Sequence, residues 1–67
     1  MKFDVRKLVC LMAAQGLSAK KLTEAAGIGA NTVREIVKYG RKPTIVTVGK
    51  IAAALNVEPG VLLKKED

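Results

Sequence analysis

Side chains able to do acid–base, nucleophilic or metal chemistry are scarce in this sequence. There is no histidine and one cysteine, Cys10. A lone thiol forms no disulfide within the chain, and without histidine the usual zinc ligand sets cannot be assembled. Of the six carboxylates, Glu58, Glu66 and Asp67 fall in the last ten residues, and no glycine-rich phosphate loop is present. This inventory argues against an enzyme, and neither a cofactor nor a metal is expected. Cys10, with Val9 and Leu11 on either side, reads as a small core residue.

Fixed positive charge is the chemistry the chain does carry. Twelve Lys and Arg stand against six Asp and Glu, a net charge of +6, and such a balance in a small chain points to a polyanionic partner. The charge is unevenly placed. Residues 1–16 carry +2 (Lys2, Arg6 and Lys7 against Asp4), and residues 17–43 carry +4 (Lys20, Lys21, Arg34, Lys38, Arg41 and Lys42 against Glu24 and Glu35). Beyond that, Lys50, Lys64 and Lys65 cancel Glu58, Glu66 and Asp67. The C-terminal third is thus neutral and free for packing or self-association. Phe3 and Tyr39 are the only aromatic residues, too few for the ring platform on which single-strand binders stack bases. Double-stranded DNA is therefore the expected polyanion. No stretch approaches the roughly 18 apolar residues of a membrane span, so a cytoplasmic protein is expected.

Positioning these charges falls to short helices. Asp4 can cap a first helix in which Val5, Leu8, Val9, Leu11 and Met12 recur at helical spacing until Gly16. Ser18 can cap a second, with Leu22, Ala25 and Ala26 on one stripe and Gly27 as its stop. After Gly29, a third carries Val33, Ile36 and Val37 on one face and Asn31, Arg34, Glu35 and Lys38 on the other. Thr44 opens a fourth with Ile45, Val48, Ile51, Ala52 and Leu55 on a broad apolar stripe, and Gly49 within it suggests close approach of another helix or simple tolerance. Pro59 starts a last one through Val61, Leu62 and Leu63. The pattern predicts an all-α, compact five-helix domain over residues 1–67, with helices at about 4–15, 19–26, 30–38, 45–55 and 59–64 and no strands.

The second and third helices, joined by a short glycine-containing turn, have the form of a helix-turn-helix, whose second helix can enter a major groove about 12 Å wide. Leu22, Ala26, Ile28, Val33 and Ile36 are the inward positions of this unit. The segment Gly16-Leu17-Ser18 before the second helix, Gly27 with Ile28, Val33 with Ile36, the loop Gly40-Arg41-Lys42-Pro43-Thr44, and the run IAAALNV from Ile51 together resemble the phage repressor and Cro (XRE-type, lambda-repressor-like) family. The sequence departs from that pattern at Ala19, where the family often has a DNA-contacting glutamine. It departs again at Met12 and Val37, where many members pair an arginine with a glutamate, and by one extra residue, Tyr39, before the loop.

The resemblance implies a sequence-specific transcriptional regulator, Cro-like or a minimal repressor of a phage or mobile element. By the same resemblance Ala30, Asn31, Arg34 and Glu35 face base edges, and Ser18, Lys20, Lys21, Thr32, Lys38, Arg41 and Lys42 meet the DNA backbone. Asn31 suits adenine and Arg34 guanine, while Glu35 either accepts from cytosine or pairs with Arg34, Lys38 or Tyr39. Family members usually bind as two-fold dimers, so a homodimer on an inverted-repeat operator is expected, with Pro59, Val61 and Leu63 as candidate interface residues. The alternative is a protein-docking module or the DNA-binding antitoxin of a toxin pair.

Overall fold

In a computed structural model, which describes residues 2–64, the chain forms four α-helices closed off by a two-stranded ladder. The order is β1 (Lys2–Phe3), α1 (Val5–Gln15), α2 (Ala19–Ala26), α3 (Thr32–Tyr39), α4 (Ile45–Leu55), a single 3-10 turn (Pro59–Leu62) and β2 (Leu63–Lys64). Side-chain oxygens supply the caps that the sequence predicts. Asp4 Oδ1 accepts from the Lys7 amide at 3.0 Å, Ser18 Oγ from the Lys21 amide at 3.1 Å and Thr44 Oγ1 from the Thr47 amide at 3.2 Å. Each satisfies one of the amide donors left free at a helix start.

The helix ends are equally defined. Gly27, at φ 67°, takes the left-handed conformation that closes α2, and Ile28 N–H then bonds back to the Thr23 carbonyl at 3.3 Å. α1 and α4 close in the same way, Leu17 N–H reaching the Met12 carbonyl and Val57 N–H the Ala52 carbonyl; at α4 the left-handed residue is Asn56. α3 closes differently. The amides of both Gly40 and Arg41 donate to the carbonyl of Glu35, one residue wider than the other three closures. The extra residue before the loop is absorbed there.

One core joins all the helices: Leu8 and Met12 from α1, Leu22 from α2, Val33 and Ile36 from α3, Val48, Ile51, Ala52 and Leu55 from α4, and Leu62 from the 3-10 turn. Most of these side chains are entirely buried, each contributing roughly 1.5–3 kcal/mol. Ile28, Ala19 and Leu17 pack partly buried against this cluster around the α2–α3 unit. A bond that crosses the fold, Gln15 Nε2 to the Leu55 carbonyl at 2.7 Å, ties the ends of α1 and α4.

Several expectations need correction. The fifth helix is one 3-10 turn that runs directly into a strand, so the described residues hold four α-helices and two short strands. β1 and β2 pair antiparallel, Lys2 with Lys64 and Phe3 with Leu63, and Asp4 N–H adds a bond to the Leu62 carbonyl at 2.7 Å. Two-residue strands have no periodicity to read, and this pair exists because the packed helices bring the two ends together. α3 begins at Thr32 with Asn31 at the cap position, two residues later than expected, and Gly29 serves only in the turn. Cys10 is exposed, not a core residue. Ile45 is 73% exposed and lies off the apolar stripe of α4. On α2 the buried neighbour of Leu22 is Thr23 rather than Ala25, and its hydroxyl donates to the Ala19 carbonyl at 2.8 Å. A Cβ at Gly49 would meet nothing within 4 Å, so no helix approaches there and tolerance is the right account.

Candidate nucleic-acid interface

α3 is amphipathic, although Val37, expected on its apolar face, is 36% exposed. Val33 and Ile36 have no exposed surface and fix the helix against α2, whereas Ala30, Asn31, Arg34 and Lys38 are exposed on the outer side. Its eight residues span about 12 Å at 1.5 Å per residue, and a helix about 10–12 Å in diameter with its side chains fits a major groove about 12 Å wide. Ala30 and Asn31 sit in the turn before the helix. Thr32 is half-buried and its hydroxyl stands where a Cβ on Gly29 would come within 3.1 Å of it.

Asn31, Arg34, Glu35 and Tyr39 line one shallow surface recess. Three of the four residues expected to read bases are thus brought together, and Tyr39 joins them. The carboxylate of Glu35 is engaged, but by none of the partners the sequence suggests: Arg41 Nη1 donates to Glu35 Oε1 at 2.6 Å. Both side chains remain about half exposed, Arg41 54% and Glu35 43%, so the pair contributes little to stability. Its importance is positional. The Arg41 amide bonds to the carbonyl of Glu35 while the guanidinium bonds to its carboxylate, holding Arg41 against the last turns of α3. A spacing of six residues is not a helical contact, and the widened closure at Gly40 is what creates it.

The remaining cations expected at the DNA backbone fall into two groups. Lys20 and Lys21 are exposed in the first turn of α2, beside Ser18, whose hydroxyl is committed to capping. Arg41 and Lys42 are exposed in the loop after α3 and line a second recess together with Lys2. Ser18, Lys20 and Lys21 stand at one end of the helix-turn-helix unit, and Lys38, Arg41 and Lys42 at the other. Of the residues expected at a dimer interface, Pro59 and Val61 are exposed, Val61 at 38%, whereas Leu63 is half-buried and paired with Phe3 inside the chain. Ile45 and Val46, at 73% and 65%, are more exposed than Val61 and Leu63. No helix among the described residues is long and apolar enough to cross a membrane.

The comparisons with known proteins agree with this geometry. A family model described as helix-turn-helix matches residues 11–62. No curated protein matches the chain. Among solved structures, the chain is similar to the restriction-modification controller protein C.AhdI from Aeromonas hydrophila. The two share 30% identity at a TM-score of 0.81, over 88% of this chain and 89% of that one. With α2, the turn at Gly27 and α3 inside the matched span, the chain belongs to the helix-turn-helix family, of the phage repressor and Cro type.

Proposed function

We propose that this DNA-binding regulator reads an inverted-repeat operator as a homodimer, each copy placing α3 in a major groove. The observation that carries this reading is the contrast between the two faces of α3. On its inner face Val33 and Ile36 are buried without exposed surface, while Asn31 and Arg34 line one recess on the outer face. Ala30, Asn31 and Arg34 then meet base edges, Asn31 suited to adenine and Arg34 to guanine, at about 1–3 kcal/mol of discrimination for each bidentate pair. Glu35 acts beside them by holding Arg41. Ser18, Lys20, Lys21, Thr32, Lys38, Arg41 and Lys42 set the register through phosphates.

A helix-turn-helix of this size covers few bases, and a two-fold dimer on half-sites about 34 Å apart supplies the missing specificity. Pro59 and Val61 on the electrically neutral C-terminal side are the proposed contacts, and the cytoplasm is the proposed place of action. Likeness to a restriction-modification controller protein favours a regulatory role over a docking module or antitoxin.

The test is selection of duplex DNA from a random pool, followed by titration of the winner with wild type and Arg34→Ala. The reading expects an enriched inverted repeat and a loss of about 5-fold to 150-fold in preference at one base pair per half-site in the variant. Selection without enrichment, or preference indifferent to Arg34, would overturn it.

A further inference from the structure

The ladder that ties the chain ends contains an unfavourable pairing. Lys2 and Lys64 stand directly opposite one another across β1 and β2, so their side chains share one face, and like charges in that position repel. Both residues are exposed. Among the described residues, the carboxylate near the pair is that of Asp4, whose Oδ1 lies 4.0 Å from Lys64 Nζ and already caps α1. Nothing in the fold requires lysine at either position, because the ladder bonds use backbone groups. Neither residue lies within the span matched by the helix-turn-helix family model, residues 11–62.

What surrounds the pair supplies a reason for it. Lys2 lines a recess together with Arg41 and Lys42, from the loop that follows α3, and the apolar lining of that recess includes Phe3, Val5 and Leu63. Cations from two separated parts of the chain therefore share one recess beside the end of the reading helix, and Lys64 stands across the ladder from one of them. An apolar floor strengthens the field that such charges project outward. A repulsive pair retained at this place is relieved when a polyanion sits across it.

We infer that the terminal ladder is a second surface for the DNA backbone, on which Lys2, supported by Lys64, extends the phosphate contacts of Arg41 and Lys42 beyond the helix-turn-helix. The inference rests on the DNA-reading function proposed above. Contact with phosphate adds affinity and register without sequence information, so Lys2 acts on every duplex alike.

The experiment titrates the selected duplex and a scrambled duplex of equal length with wild type, Lys2→Ala, Lys64→Ala, the double variant and Lys2→Arg, from 50 to 200 mM salt. Lys2→Ala removes one cation from each copy of the dimer, so it should flatten the slope of log K against log salt by about 1.8, and wild type should lose about 12-fold more affinity than the variant over that range. Lys2→Arg should keep the wild-type slope, and the ratio of affinities for the two duplexes should not change. Circular dichroism of each variant should match wild type, since the substituted side chains are exposed. If the double variant keeps the wild-type slope while Arg34→Ala still lowers the preference for the selected duplex, the ladder inference is overturned and the reading function stands. If wild type binds neither duplex in a salt-dependent way, the DNA reading itself fails and this inference falls with it.

Discussion

Replacing Glu35 by glutamine separates two roles that one carboxylate on a reading helix can have. In the structure the Arg41 guanidinium is bonded to it at 2.6 Å, with both side chains about half exposed. Exposed pairs of this kind are worth about 0.2–1 kcal/mol. The closure of α3 uses the backbone carbonyl of Glu35 and survives the substitution. Glu35→Gln should therefore lower stability by less than about 1 kcal/mol, a shift of under about 1 M in the urea midpoint for a slope near 1 kcal/mol/M. On DNA, Arg41 no longer has to leave a carboxylate to meet a phosphate. That release is limited by the strength of the pair, so affinity should rise by at most about 5-fold per copy, or about 30-fold for the dimer, and it should rise equally for matched and scrambled duplexes. A carboxylate accepting from a cytosine would behave otherwise, the variant losing about 1–3 kcal/mol at one base pair and nothing elsewhere. Titration of a panel of single-base operator variants reads the difference. Loss of discrimination confined to one position would refute the assignment of Glu35 to Arg41, and destabilisation beyond 2 kcal/mol on the order-of-magnitude scale for buried pairs would refute its description as an exposed one.

Gly49 lies in the middle of α4 where an added Cβ meets nothing within 4 Å; Gly49→Ala should stabilise the chain by about 1 kcal/mol, raising the melting temperature by about 4–8 °C, whereas a fall would reveal a close approach. Leu22 is wholly buried where α2 meets both α3 and α4; Leu22→Ala should cost about 2–5 kcal/mol, seen as an early thermal transition by circular dichroism, and a change under about 1 kcal/mol would show that the core closes over the gap.

Local chemistry was the legible part of the sequence. α2 and α4 have the expected bounds, Asp4, Ser18 and Thr44 cap as read, and Gly27 and Asn56 end helices in the left-handed region. Each of these features is decided within four or five residues. The features that escaped are decided across the chain. The β1–β2 ladder joins residues sixty or more positions apart, and Gln15 reaches the Leu55 carbonyl across forty. Cys10 and Ile45 are apolar residues at helical spacing whose exposure depends on where neighbouring helices stop. At the candidate interface, amphipathic spacing found the outer face of α3, because burial of Val33 and Ile36 leaves Arg34 and Lys38 nowhere else to point. It missed the hold of Glu35 on Arg41, which arises from a helix closure one residue wider than its three counterparts. A six-residue spacing carries no signal until that closure is known.

The length of α3 makes its reading face a property of the core. A helix of eight residues is too short to persist alone, because nucleation is costly and helices below about 12 residues are marginal in water. It persists because Val33 and Ile36 are buried against α2, which packs in turn against α4. Arg34 therefore points outward only while Leu22, Ile36 and Ile51 remain packed together. A core variant weakens DNA binding by lowering the folded fraction, and its apparent Kd rises in inverse proportion to that fraction. Its preference among base sequences stays unchanged, because every folded molecule still presents the same face. A variant of Arg34 changes preference at full folded fraction. The two kinds of loss are thus separable in one titration series, and the division between them marks where the fold ends and recognition begins.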